Sequence, residues 1–158
     1  MKTVEIELRS LDDSSYDNFM SELKLRYSTD RMTSNLLGKD EAIEFTENQW
    51  ASFLPEGKST EGHYFFDMIS ASDNTKIGVS WLFINRNDRT SFIYELFLVR
   101  ESRGKGLGRF ALRALEACAR SKGARTLGLN VFADNDRAKS LYTSFGFRDV
   151  STDMIKSI

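Results

Sequence analysis

Apolar and polar positions change period several times along this chain, and each change marks an element. Thr3-Val4-Glu5-Ile6-Glu7-Leu8 alternates, which predicts a first strand over Thr3–Leu8. From Asp12 or Asp13, either of which can cap a helix, Tyr16, Phe19, Met20 and Leu23 fall at i, i+3, i+4 and i+7. That spacing predicts a helix to about Tyr27, followed by a polar linker over Ser28–Asn35. A second helix is expected from Asp40, with Ala42, Ile43, Phe45 and Trp50 among its apolar positions. It should end near Leu54-Pro55-Glu56-Gly57, which cannot stay helical.

The period then drops to two. His63–Ala71, Lys76–Asn85 and Thr90–Val99 are β-rich runs, separated by the turn-like tetrapeptides Ser72–Thr75 and Arg86–Arg89, and together they predict an antiparallel meander. Next come a glycine turn and an amphipathic helix through Lys122, closed by Gly123. Its inward positions are Leu107, Phe110, Ala111, Ala114, Leu115 and Cys118; Arg109, Arg113, Glu116 and Arg120 face out. A strand over Arg125–Phe132, a short helix over 136–145 and a last strand over 147–155 complete the order β-α-α-β-β-β-α-β-α-β, an α/β chain of the α+β kind with a mixed central sheet.

Composition narrows the class. At 158 residues the chain is most simply one domain over 1–158, and 41% hydrophobic with 28% charged residues is a soluble, globular balance. No apolar run approaches the roughly 20 residues of a membrane helix, so no membrane partner is expected. The alternating start lacks a signal peptide's apolar block, which makes a cytoplasmic protein the default. One cysteine excludes an internal disulfide, and one histidine beside it leaves no donor set for structural zinc, so no metal is expected.

The net charge of −1 hides an asymmetry: residues 1–62 carry 7 basic and 13 acidic side chains, a balance of −6, and residues 63–158 carry 15 and 10, a balance of +5. The basic part suits an anionic ligand. The acidic part either attracts a cationic amine or is a solvated face. No dense basic run with interleaved aromatics appears, so nucleic acid is not expected as a partner. A homodimer stays open.

The sharpest chemistry lies at Arg103-Gly104-Lys105-Gly106-Leu107-Gly108, between the apolar run Leu96-Phe97-Leu98-Val99 and the amphipathic helix. Strand, glycine turn and helix N-terminus in that order form an anion trap: backbone N–H groups converge, the helix dipole adds positive potential, and Arg103 and Lys105 add formal charge. A P-loop would need G-x-x-x-x-G-K-[ST], which does not occur. A dinucleotide fingerprint from Gly104 meets Arg109 where its third glycine belongs, and Thr126-Leu127-Gly128-Leu129 holds no acid for a ribose. Downstream, Asp134 or Asn135 can cap a short helix on which Ala138, Leu141, Tyr142 and Phe145 share one face, with Gly146 at a left-handed C-cap.

Arg103-x-x-Gly106-x-Gly108 resembles the pyrophosphate-binding motif of the GCN5-related N-acetyltransferases, and Asn135-x-x-Ala138-x-x-Leu141-Tyr142-x-x-x-Gly146-Phe147 resembles the other signature of that superfamily. The likeness covers roughly Phe92 to Phe147, is similar to that of small bacterial members, and implies the superfamily's mixed-sheet fold and acetyl-coenzyme A as cosubstrate. It implies that Arg103–Gly108 hold the pyrophosphate and that the Leu96–Leu98 backbone pairs with the pantetheine, one N–H holding the thioester oxygen. Asn135 takes the pantetheine region, and Ala138 and Leu141 line the cofactor side. Tyr142 is then the general acid for the departing sulfur, and Glu95, eight positions before the motif arginine, the acceptor of the amine's proton. Asn130 is a second candidate beside the acceptor and is counted with the cofactor contacts. One departure is Arg100, where members often carry proline.

His63 reads as a strand-end surface residue and Cys118 as core. Trp50, Phe53, Trp81 and Phe83 read as core, one or two of them available to the acceptor cleft. The function expected is direct acetyl transfer to an unidentified amine, with acceptor specificity in residues 12–60 and the Asn85–Thr90 turn. A non-catalytic acyl-coenzyme A-binding module and an O- or longer-chain acyltransferase are the alternatives.

Overall fold

The β-rich runs build a five-stranded sheet in order β1-β2-β3-β4-β5, seen in a computed structural model that describes residues 3–34, 39–156 and 158, with the side chains at 30–34, 39, 42 and 45 not described. The chain divides into two compact units: the stretch ending at Leu11 with Glu61–Phe147, and Asp12–Thr60 with the residues from Arg148 onward.

The first unit holds the sheet: β1 (Ile6–Ser10), β2 (His63–Ser70), β3 (Thr75–Asn85) and β4 (Thr90–Leu98) form the expected antiparallel meander. Helix α3 (Leu107–Ser121) then crosses to β5 (Thr126–Leu129), which runs parallel to β4, and α4 (Asp136–Phe145) follows. The parallel pair needs such a crossover, whereas the antiparallel turns do not. One face of the sheet packs on the helices: Phe66, Leu82, Ile84 and Ile93 meet Leu112, Leu115 and Ala119, and Leu141, Tyr142 and Phe145 of α4 close over the same cluster. A neighbouring cluster joins Ile6, Met68 and Ile77 to Ala111. The most deeply buried positions of α3 are Ala111, Leu112, Leu115 and Ala119; the expected Leu107, Phe110, Ala114 and Cys118 also pack on the core, and Leu112 and Ala119 widen the expected face.

The register of β4 carries an irregularity that matters below. Trp81 lies opposite Glu95, but Leu82 lies opposite Ile93, so Tyr94 is an extra residue in β4. Beside it β5 is shorter than expected: its ladder runs from Thr90↔Thr126 to Ile93↔Leu129 and ends there, while β4 continues to Leu98. The sheet forks at this point.

In the second unit, α1 (Asp13–Ser34) and α2 (Lys39–Phe53) pack together, burying Phe19, Met20, Leu23, Trp50 and Leu54, with Tyr27 edge-on to Trp50 at 5.2 Å between ring centroids. Asp12 is the cap, accepting from Ser15 N–H at 2.7 Å. The expected linker from Ser28 is instead helix to Ser34, and its hydroxyls are accommodated by bonding back along the helix: Ser28 Oγ donates to the Lys24 carbonyl and Thr29 Oγ1 to that of Leu25. Asn35, at the end of that linker, and the side chains of Ala42 and Phe45 lie outside the described residues. The last strand expected over 147–155 is absent: residues 148–156 have no regular structure, with Val150, Met154 and Ile155 exposed. The apolar positions there fall three, four and one apart, which sustains no period of two.

Candidate functional site

The glycine turn is set by backbone angles. Gly104 (φ 74°) and Gly106 (φ 75°) both adopt the left-handed region, which side chains rarely tolerate. Gly106 is the residue before α3, and no side chain caps that helix, so its first N–H groups, from Leu107 on, are left for another acceptor. A Cβ built on Gly106 meets nothing within 4 Å, so the space above the turn is open. Gly108 has a different role. A Cβ there would come within 2.9 Å of Leu141 Cδ2, so this glycine lets α3 and α4 approach. The α4 terminus contrasts with that of α3: Asn135 Oδ1 accepts from Ala138 N–H at 3.1 Å, and at the far end Gly146 (φ 113°) is the left-handed cap. Asn135, not Asp134, is therefore the cap.

Cations converge on the turn. Lys105 is exposed. Arg103 lies over the Phe97 ring at 4.9 Å and donates from Nε to the Leu98 carbonyl at 2.9 Å, tying the turn to the end of β4. Arg137, on the first turn of α4, places Nη2 at 3.6 Å from a Cβ built on Gly104. The sequence reading missed it; a basic residue two positions after the Asn135 cap was the available signal. Arg109 points elsewhere, holding Ser144 Oγ at 2.6 Å. At Arg100 the chain makes a short 3-10 turn, closed by Ser102 N–H to the Val99 carbonyl and Arg103 N–H to that of Arg100.

The fork exposes backbone. Val99 N–H donates to the Ile77 carbonyl at 2.9 Å. Antiparallel pairing alternates, so Phe97 also turns its peptide groups to β3, and Leu96 and Leu98 turn theirs to the other edge, where β5 has ended. The Leu98 carbonyl is taken by Arg103. The side chains of Leu96 and Leu98, with Leu107 of α3, pack on the cluster of Ile6, Met68, Ile77 and Ala111. Gly78 of β3 fits this close strand contact, since a Cβ there would strike the Phe97 carbonyl.

Glu95 and Tyr142 come together here. Glu95 sits at the bulge, half-buried. Tyr142 packs edge-on to Phe147 at 5.8 Å. Burial first, and then the negative charge of Glu95, push the Tyr142 phenol above its ordinary value, so it stays protonated. Ala138 is half-buried on α4, and Asn130 is exposed just past β5.

His63 is corrected. It is half-buried in a ring cluster on the sheet face opposite α3, 4.5 Å from the Phe83 centroid, and its Nδ1 accepts from Trp81 Nε1–H at 2.9 Å. Its exposed-surface expectation failed because strand pairing across β2, β3 and β4 brings the Trp81, Phe83 and Tyr94 rings against it. Burial lowers its pKa to about 4. Cys118 packs on the core as expected, and burial raises its thiol pKa. Trp81 and Trp50 are buried. In the second unit an open groove of about 440 Å³ between α1 and α2 is lined by Tyr16, Asp17, Lys24, Glu47, Trp50 and Leu54. Among the described residues no helix is long and apolar enough to cross a membrane.

The sequence pattern of the acetyltransferase (GNAT) family matches residues 26–147. Two Bacillus subtilis (strain 168) proteins, each named an uncharacterised N-acetyltransferase, are similar over nearly their whole length. YdgE is 29% identical over 153 residues, 96% of this chain and 97% of its own. YycN is 29% identical over 157 residues, 97% and 99%. The crystal structure of YycN aligns with a TM-score of 0.89 at 26% identity, covering 97% of this chain and 98% of that one. Spermidine N-acetyltransferase from Vibrio cholerae, solved with CoA and spermine, shares the fold at a TM-score of 0.63 and 21% identity, over 93% of this chain and 83% of that one.

Proposed function

Because this chain belongs to the acetyltransferase (GNAT) family, we propose that it moves the acetyl group of acetyl-coenzyme A directly onto a primary amine, with residues 1–158 acting as one N-acetyltransferase domain. The observation that carries this reading is the sheet fork, with Glu95 and Tyr142 beside it and the uncapped start of α3 next in the chain.

The residues present fit the cofactor. The left-handed glycines, the open space over Gly106 and the cations Arg103, Lys105 and Arg137 suit a pyrophosphate. Bound there, acetyl-coenzyme A supplies an activated thioester. The outward Leu96 carbonyl and Leu98 N–H pair with the pantetheine amides as an added strand would, and Leu96 N–H donates to the thioester oxygen as charge develops on it. The Asn135 amide group and Asn130 flank the same path, and Ala138 and Leu141 give it an apolar wall. The amine nitrogen bonds to the acetyl carbon and the carbon–sulfur bond breaks. Tyr142 gives its phenol proton to the sulfur, and Glu95 takes the proton the amine loses, directly or through water.

A cationic acceptor is supported by the −6 balance of residues 1–62 and by the presence of spermine with CoA in the Vibrio cholerae enzyme of this fold. The test is a panel of polyamines, amino acids, amine-bearing antibiotics and peptide N-termini, read by thiol release and by mass of the acetylamide. At least one amine should give matched thiol and amide, and Gly106→Val should weaken acetyl-coenzyme A binding by calorimetry, since valine is strained at that φ. Tight acyl-coenzyme A binding with no turnover across the panel would convert the reading to a binding module.

A further inference from the structure

We infer that His63 is a positioning residue: by accepting the Trp81 indole proton it fixes the Trp81–Tyr94 ring pair, and through Tyr94 the β4 bulge that sets Glu95 at the sheet fork. The inference rests on the proposed transfer reaction for its kinetic part and on the fold alone for the rest.

The chain of contacts is short. Trp81 is completely buried, and its indole N–H meets His63 Nδ1 at 2.9 Å. A buried N–H without an acceptor is costly, so this bond holds the indole in one orientation. The Trp81 ring lies 4.6 Å from that of Tyr94, and Tyr94 also meets Phe92 at 4.8 Å and His63 itself at 6.0 Å. Tyr94 is the extra residue of β4, and Glu95 is the register partner of Trp81. A bulge loses regular ladder bonds locally, so the side-chain packing around it contributes to holding its geometry. Here that hold includes the Trp81–Tyr94 ring pair, which the His63 bond anchors.

His63 suits the task in its neutral form only. Nδ1 must carry a lone pair toward the indole, which leaves the ring proton on Nε2. Burial keeps the imidazole neutral down to a pKa of about 4. Leucine in its place fills the space but accepts nothing; glutamine accepts through its side-chain oxygen.

The experiment uses ¹⁵N-labelled protein. Its two tryptophans give two indole signals, and Trp81→Phe identifies that of Trp81. His63→Leu should move the Trp81 indole proton upfield, shift the backbone amides of Tyr94, Glu95 and Leu96, and lower kcat on the order of tenfold, short of the roughly hundredfold a 1 Å misplacement costs. The KM for acetyl-coenzyme A should hold, and His63→Gln should restore most of each effect. In a Trp81→Phe background, His63→Leu should add nothing further to kcat, whereas additive losses would overturn the lock. That double variant lacks the indole donor, so it serves even where His63→Leu alone folds poorly. An indole shift with unmoved Tyr94–Leu96 amides also overturns the inference. Loss of the acid limb of the kcat–pH profile in His63→Gln would make His63 a proton carrier instead. A wild-type chain that acetylates no amine overturns the proposed reaction; the amide shifts then decide the lock by themselves.

Discussion

The two halves of β4 are one strand with opposite fates. From Thr90 to Ile93 it is paired on both sides, with β3 and with β5. From Tyr94 onward β3 continues beside it and β5 does not, and the outward peptide groups of Leu96 and the Leu98 N–H face the fork, while Arg103 holds the Leu98 carbonyl. The first half is structure in the usual sense: its backbone groups are spent on neighbours, and Ile93 is buried. The second half keeps backbone groups in reserve, which is what an extended ligand recognised by main-chain pairing needs. A single inserted residue, Tyr94, separates them. On the proposed reading, function is obtained by withholding a partner from a strand rather than by adding a loop.

The largest expected break in this contrast is at the chemistry of the open half. Tyr142→Phe keeps the ring that packs on Phe147 and removes the proposed proton donor. The chemical step should slow by about 10²–10⁴-fold, the usual worth of general acid–base catalysis, while far-UV dichroism and melting stay as in wild type. Single-turnover rates across pH check this. An unchanged rate would hand the sulfur's proton to water.

Glu95→Gln tests the bulge residue itself. With no carboxylate to take the amine's proton, the reaction should need an amine already deprotonated, so the kcat/KM profile should move to higher pH, with the deficit greatest at neutral pH and fading as the amine titrates. A uniform loss at all pH values would make Glu95 a structural residue of the bulge.

Paired glycine variants sharpen the contrast further. Gly78 faces the open half, and an alanine Cβ there would strike the Phe97 carbonyl, so the backbone must shift. Gly78→Ala should cost about 1–3 kcal/mol by urea unfolding, in the range of overpacking, and raise the KM for acetyl-coenzyme A. Gly128 faces the closed half, where a Cβ would meet Phe92 Cδ2 at 3.1 Å, a ring edge able to give slightly. Relief of glycine's backbone entropy offsets that contact, so Gly128→Ala should stay within about 1 kcal/mol of wild type and leave both KM values alone. Equal kinetic effects from the two variants would dissolve the distinction between the halves.

What was legible in the sequence follows the range of the signal. The glycine turn and α4 were readable because each depends on residues a few positions apart: Gly106 before the helix, Asn135 capping Ala138, Gly146 ending the last turn. The bulge depends on register between strands. The consecutive apolar residues Phe92, Ile93 and Tyr94 masked it, although Ile93 and Leu96, three apart and both packed toward the helices, carried its trace. The length of α1 was hidden because Ser28 and Thr29 look like linker residues until their hydroxyls find carbonyls one turn back. His63 was misread for a similar reason. Its environment is made by Trp81 and Phe83 on β3 and Tyr94 on β4, far away in sequence.

The smallest expected effect lies in the acid stability of that same ring cluster. His63 has an ordinary pKa of 6.5 and a folded value of about 4. Between these values the unfolded chain binds a proton that the folded chain refuses, so His63's contribution is full above 6.5 and is lost progressively as pH falls toward 4. Glutamine keeps an acceptor for the Trp81 indole but does not titrate. At pH 7.5, wild type should melt at or above His63→Gln. As pH is lowered toward 4, the difference in Tm should move by a few degrees in favour of the glutamine variant, the scale on which about 1 kcal/mol moves a chain of this size. Carboxylates that titrate over the same range are common to both proteins and drop out of the difference. A gap that stays constant from pH 7.5 to 4 would mean that the imidazole protonates as easily folded as unfolded. The rings around His63 would then not be holding water away from it, and the anchor of the open half of β4 would be weaker than its 2.9 Å bond to Trp81 implies.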